Sequence, residues 1–86
     1  VYLTQILYNQ HKFYGITNVG KKPTFGNKDY SIETNILNFN GDLYGKKIKL
    51  IFFKKIREII KFKTVPELQA QLDKDKKDAI TFFNIQ

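Results

Sequence analysis

The chain has no cysteine, methionine or tryptophan, and only one histidine. The lack of cysteine excludes disulfides, thiolate nucleophiles and cysteine-based metal sites, and it suits a reducing compartment. A zinc site is not expected, because His11 lies in a turn away from any acidic cluster. No apolar run approaches the length of a membrane span, and Thr4 and Gln5 make the start too polar for a signal peptide. These absences favour a cytoplasmic protein with no membrane partner.

The missing initiator methionine, together with a start that falls in mid-strand, indicates a piece of a longer protein. With 86 residues the piece is one small domain, which buries a modest part of its surface. We therefore expect a single domain over residues 1–86 that is truncated at its N-terminal side.

Arginine is also scarce, since Arg57 is the single arginine among 15 basic residues. The net charge of +7 invites a nucleic-acid interpretation. However, the lysines are scattered over every predicted element, and arginine is the usual residue for bidentate contacts with phosphates and bases. A small basic β-barrel that binds RNA or single-stranded DNA is therefore kept as the alternative, not as the leading prediction.

Alternation of apolar and polar residues predicts β-strands through most of the chain. The expected strands are Val1–Tyr8, Lys12–Val19, Tyr30–Phe39 and Lys46–Phe53, followed by Lys54–Phe62 as further strand broken by a bend. A turn at 9–11, a loop at 20–29 and an Asn-Gly turn at 40–42 separate them. Five aromatic residues are assigned to the core or to a barrel wall: Tyr8, Phe13, Tyr14, Phe52 and Phe53.

The last segment changes to helical periodicity. Thr64 and Glu67 form a capping-box pattern, and Pro66 suits the first helical turn. These signals predict one amphipathic helix over roughly Val65 to Phe83. The helix aspartates, which are Asp73, Asp75 and Asp78, are expected to be solvated among lysines and not to form a magnesium cage. Strands followed by one helix indicate a small barrel with the helix packed on it.

Glu33 is the leading functional candidate, because an acidic residue is a poor strand former. Along the strand it shares a face with Asn35, Leu37 and Phe39, while the residues between them share the other face. A carboxylate that points toward a core or cavity needs a partner or a function. The alternative is an ordinary strand glutamate paired with one of the lysines.

Several landmarks stand in a fixed order along the chain. They are Gly15–Gly20 with Lys22-Pro23-Thr24-Phe25, Ile32-Glu33-Thr34, Asp42–Lys46, Ile56-Arg57 leading to Lys61-Phe62, and Glu67-Leu68 with Asp75. Together they resemble the riboflavin kinase family, and specifically the C-terminal kinase module of bacterial bifunctional riboflavin kinase/FAD synthetase. The resemblance covers nearly the whole chain.

The resemblance implies a mainly β fold, a six-stranded Greek-key closed barrel with one C-terminal helix. It also implies transfer of a phosphate from ATP, with Mg²⁺, to the terminal ribityl hydroxyl of riboflavin, giving FMN. An adenylyltransferase domain would lie outside this chain. The family's upstream Pro-Thr-Ala-Asn segment, which binds magnesium and phosphate, is absent here, so the fragment alone is expected to be inactive.

Residue roles follow from the resemblance by position. Glu33 matches the catalytic carboxylate, and Asn38 and Tyr44 fall where the family contacts the nucleotide. The segment that closes over the flavin contains Arg57, Ile60 and Phe62. No metal ligand is assigned in this chain.

The residues themselves leave other roles open for this segment and for the glutamate's surroundings. Asn35 stands where the family often has histidine. Arg57 could hold an oxyanion or stack on a ring, but it could also be an ordinary surface residue. Phe62 could stack on the isoalloxazine ring or simply belong to the core.

Overall fold

The described residues form one antiparallel sheet with a single helix packed on one side of it. The computed structural model describes residues 1–21, 30–41, 43 and 45–85. The elements are β1 (Tyr2–Tyr8), β2 (His11–Lys21), β3 (Tyr30–Ile36), β4 (Lys49–Lys55) and α1 (Val65–Phe83). The sheet order is β3-β2-β1-β4. The predicted mainly β fold with one C-terminal helix is confirmed, and the described part of the chain contains four of the six strands implied by the resemblance.

Strands β1 and β2 form a tight hairpin, as the sequence predicts. Asn9 and Gln10 make the turn with φ angles of 50° and 69°, which is the positive-φ backbone that two-residue hairpins require. Tyr8 therefore pairs with His11. The hairpin forms the centre of the sheet, because β4 pairs antiparallel with β1 and β3 pairs antiparallel with β2.

Strand β3 ends earlier than predicted. It stops at Ile36, and the chain turns at Leu37 and Asn38, where Asn38 has a φ of 57°. Leu37 keeps its place in the core beside the helix. Phe39 does not follow it, because the turn carries the ring to within 5.1 Å of Phe13. The prediction that Phe39 shares the face of Glu33 is therefore wrong.

The prediction of further strand beyond Lys55 is also wrong. After Ile56 donates its backbone N–H to Val1 at 2.8 Å, the chain leaves the sheet. Residues 56–63, which we call the connector, have neither strand nor helix and lead to α1. Two aromatic residues of β4 are less buried than expected, since Phe52 is 45% and Phe53 is 49% exposed.

The helix has the bounds that its caps predict. The Thr64 side chain accepts the backbone N–H of Glu67 at 3.3 Å, and the Glu67 carboxylate accepts the backbone N–H of Lys63 at 3.2 Å. At the other end, Asn84 adopts a left-handed conformation that closes the helix. Among the described residues, no helix is long and apolar enough to cross a membrane.

The two faces of the sheet are buried in different ways. On the helix side, Ala79 of α1 packs with Leu3, Ile16 and Leu37 in one apolar cluster. The opposite face buries Ile6 and a row of threonine hydroxyls from β1, β2 and β3. The helix therefore covers only one side, and the site described next lies beside its contact with the sheet.

Candidate active site between the sheet and the helix

A cleft of about 510 Å³ separates the β2–β3 part of the sheet from α1. The sheet side is lined by Ile16, Asn18, Glu33, Thr34, Asn35 and Leu37, and the other side by Arg57, Gln69, Leu72, Asp73, Asp75 and Lys76. The lining of the cleft thus combines apolar side chains with amides and with charged groups of both signs. Such a mixture can hold a polar ligand against an apolar surface.

Glu33 lies in the wall of this cleft and is solvent-exposed. It shares the helix-facing side of β3 with Asn35, as the alternation predicts, and Leu37 beyond the strand lines the same cleft. Its carboxylate accepts a long hydrogen bond, 3.4 Å, from the Ser31 hydroxyl. The carboxylate is therefore accessible to a ligand, and it forms no ion pair with another described residue.

Asn18 is a candidate that the sequence analysis did not single out. It lies on β2 directly opposite Glu33 in the antiparallel register, and both side chains line the cleft. Paired positions on one face are close enough for side chains to interact. The amide adds a donor and an acceptor beside the carboxylate. Only the β2–β3 register reveals this pairing, and alternation within one strand cannot show it.

Arg57 also lines the cleft, but a carboxylate on α1 holds its guanidinium. Nε donates to Oδ1 of Asp75 at 2.9 Å, and Nη2 donates to Oδ2 at 2.6 Å. The Arg57 side chain is only 16% exposed. The interpretation of Arg57 as an ordinary surface residue is therefore wrong.

Asp75 corrects a second expectation, because it is not a solvated helix residue. Its side chain is 1% exposed, and it accepts a further hydrogen bond from Gln71 at 2.9 Å. Burial disfavours the charged carboxylate, but the hydrogen bonds from Arg57 and Gln71 outweigh it and hold the pKa of Asp75 below its usual value. The sequence signal was the isolated arginine, whose partner lies 18 residues away.

The other predicted site residues lie outside this cleft or outside the described residues. Asn38 is exposed in the turn after β3. Ile60 is 44% exposed and Phe62 is half-buried, both in the connector. Tyr44 lies outside the described residues. Of the described members of the predicted set, the cleft therefore brings together Glu33 and Arg57, but not Asn38, Ile60 or Phe62.

A second hollow, about 730 Å³, opens on the far side of β3. It is largely apolar, with Ile32, Ile36, Phe39, Leu43, Ile48 and Leu50 among its lining residues. Glu33 and Asn35 reach its edge as well. Within the described residues, no group of three or more histidine, aspartate or glutamate side chains could hold a metal ion.

Comparisons with known proteins point in one direction. A family model described as "Flavokinase: Riboflavin kinase" matches residues 1–83. The bifunctional riboflavin kinase/FMN adenylyltransferase of Bacillus subtilis (strain 168) is 40% identical over 87 residues, covering 98% of this chain and 28% of that protein. The protein of the same description from Haemophilus influenzae is 36% identical over 72 residues, covering 84% of this chain and 23% of that protein. The chain thus spans about a quarter of the length of these relatives.

One solved structure is also similar in both fold and sequence. It is the structure of a protein named macrolide-efflux protein from Streptococcus pneumoniae, and it aligns with a TM-score of 0.82 and 32% identity. The alignment covers 88% of this chain and 25% of that one. The efflux activity in that name belongs to that protein, and the similarity supports the fold. The family match favours the kinase prediction over the nucleic-acid alternative.

Proposed function

The chain belongs to the riboflavin kinase family, and from this premise we propose that it is a kinase module that phosphorylates riboflavin. It transfers the γ-phosphate of ATP to the terminal ribityl hydroxyl, and the products are FMN and ADP. The observation that carries the proposal beyond family membership is the position of Glu33, an accessible carboxylate in the wall of the cleft between sheet and helix.

Glu33 is proposed to act as the general base. Phosphoryl transfer asks a protein mainly to position the reactants and to stabilise charge. The ribityl oxygen attacks the γ-phosphorus while the bond from that phosphorus to the ADP oxygen breaks. The hydroxyl proton passes to the Glu33 carboxylate late in this step, because an alcohol is too weak an acid to lose it earlier. Asn18, opposite Glu33 in the register, can orient the carboxylate or the hydroxyl.

The remaining predicted residues form two further parts of the proposed site. Asn38 and Tyr44 are proposed to contact the nucleotide. The connector, which contains Arg57, Ile60 and Phe62, is proposed to form the flavin side of the site. Support comes from the exposed apolar surface that Ile60 offers, at 44% exposure, since a flat ring packs well against such a surface.

Magnesium would neutralise charge on the ATP phosphates in such a reaction. The described side chains do not fit a dedicated Mg²⁺ cage, although Mg²⁺ commonly takes few protein ligands and several from phosphates and water. No step above therefore depends on a metal ligand from this chain.

The wider context is also a proposal. Residues 1–86 are proposed to be a single kinase domain truncated at its N-terminal side, with an adenylyltransferase domain elsewhere in the protein, as in the bifunctional relatives. Inactivity of the isolated fragment and a cytoplasmic location stay predictions.

The test uses the full-length protein that contains this chain. Riboflavin fluorescence should change on binding, and ATP with Mg²⁺ should convert riboflavin to FMN in a chromatographic assay. The matched control replaces ATP with ADP, which has no γ-phosphate to transfer. Failure to form FMN, combined with oligonucleotide binding that weakens steeply with salt, would instead support the nucleic-acid alternative.

A further inference from the structure

The connector has no strand or helix of its own, so its path depends on contacts with its neighbours. Arg57, near its start, joins it to the middle of α1 through two hydrogen bonds to Asp75. The third nitrogen, Nη1, donates to the backbone carbonyl of Glu58 at 3.0 Å. One guanidinium thus binds both the helix and the connector's own backbone.

A lysine could not replace Arg57 in its pair with Asp75. Asp75 has 1% of its side chain exposed, and a buried carboxylate is stable only when it is paired and hydrogen-bonded. The planar guanidinium meets both carboxylate oxygens at once, whereas an ammonium group is a point charge without that geometry. The chain places its single arginine at this position, although it has many lysines.

The pair also lies in the wall of the cleft that Glu33 lines. We infer that Arg57 and Asp75 are a positioning pair, which fixes the connector on α1 and so sets the flavin-side surface formed by Ile60 and Phe62. The inference rests on the proposed function and refines it. Arg57 acts through Asp75 and does not itself contact the flavin.

A double-mutant cycle in the full-length protein tests this inference, with riboflavin binding followed by fluorescence. Arg57→Gln should weaken riboflavin binding about tenfold, because it leaves the Asp75 charge buried without a partner. Adding Asp75→Asn should restore most of the affinity, since the two amides can hydrogen-bond to each other and no charge is left buried. In Arg57→Gln the loss should fall on the affinity for riboflavin more than on the KM for ATP, because the connector forms the flavin side of the proposed site.

Asp78→Asn is the matched control, because Asp78 is an exposed aspartate on the same helix and its change should leave riboflavin binding unaltered. A double variant that binds riboflavin as weakly as Arg57→Gln would mean that Arg57 contacts the flavin directly, and the inference would be overturned.

Two further outcomes also decide the matter. An equal loss in all kinetic parameters, with no preference for riboflavin binding, would assign the pair to stability alone and overturn the inference. If the wild-type protein binds no riboflavin, the proposed function fails, and the inference fails with it.

Discussion

The hydroxyl of Thr34 lies 2.8 Å from that of Thr17 inside the sheet. The Thr17 hydroxyl lies 2.9 Å from that of Thr4 in turn, so one row of hydroxyls joins three neighbouring strands. Because side chains alternate along a strand, Thr34 on this face places Glu33 on the opposite, helix-facing side. A slip of one residue in the β2–β3 register would exchange the faces on which Thr34 and Glu33 lie. The row therefore favours the register that exposes Glu33 to the cleft.

Thr17 is the middle member of the row and is fully buried. We expect Thr17→Val to lower the free energy of unfolding by about 2 kcal/mol, because it leaves the buried hydroxyl of Thr4 and the partly buried hydroxyl of Thr34 without their partner. Thr17→Ser is the matched control, since it keeps the hydroxyl and loses only a methyl group, at about 1 kcal/mol. Urea unfolding of both variants measures the difference. Equal losses would show that the hydroxyl row adds nothing to stability.

The sequence predicts the helix and the first hairpin well because their signals are local. Thr64, Pro66 and Glu67 stand next to one another and determine where α1 begins. The sequence predicts the connector poorly. Lys54–Phe62 is apolar enough to be a strand, but the path of the connector depends on contacts between residues that are distant in the sequence. Arg57 and Asp75 are 18 residues apart.

The site was predictable to a similar extent. Alternation alone places Glu33 and Asn35 on one face of the strand, and the structure agrees, since both line the cleft. Alternation could not show that Phe39 leaves that face, because Asn38 turns the backbone with a positive φ. Nor could it show that Asn18 lies opposite Glu33, since the register between strands is set by pairing that a single strand does not encode.

The proposed role of Glu33 gives a direct kinetic prediction. Glu33→Gln in the full-length protein should reduce kcat about 100-fold or more, because the amide cannot accept the ribityl proton. Riboflavin binding should stay nearly intact, since the substitution conserves shape. Steady-state FMN formation and fluorescence titration measure the two quantities. Asp78→Asn, which removes an exposed carboxylate from α1, serves as the control, and turnover like that of the wild type in Glu33→Gln would reject the role.

Gly15 marks a place where the backbones of β2 and β3 come close. A Cβ there would lie 2.7 Å from the carbonyl oxygen of Asn35 and 2.8 Å from Cδ1 of Ile6. We expect Gly15→Ala to lower the free energy of unfolding by about 2–3 kcal/mol, because the strand pairing or the core must shift.

Gly20→Ala on the same strand is the control for Gly15→Ala. Its Cβ would lie 3.2 Å from Cδ1 of Ile59, a side chain that is 53% exposed and can move aside. The cost at Gly20 should therefore stay below about 1 kcal/mol. Thermal unfolding of both variants, followed by circular dichroism, makes the comparison, and similar losses at the two sites would contradict the steric argument.

The Arg57–Asp75 pair predicts a specific acid dependence of stability. The pKa of the Asp75 carboxyl lies below its ordinary value of 3.8 in the folded protein, so the charged form stabilises the folded state at neutral pH. That contribution is present above the ordinary pKa and is lost as the pH falls through the lower pKa of the folded protein.

The asparagine in Asp75→Asn does not titrate in this pH range. The variant's deficit in unfolding free energy, about 2–4 kcal/mol at neutral pH, should therefore shrink as the pH is lowered below the ordinary pKa of 3.8. Urea titrations across this range measure it, with Asp78→Asn expected to differ little from the wild type throughout. A deficit that stays constant with pH would mean that the charge of Asp75 does not contribute to stability, since only the ionised carboxylate forms the ion pair with Arg57.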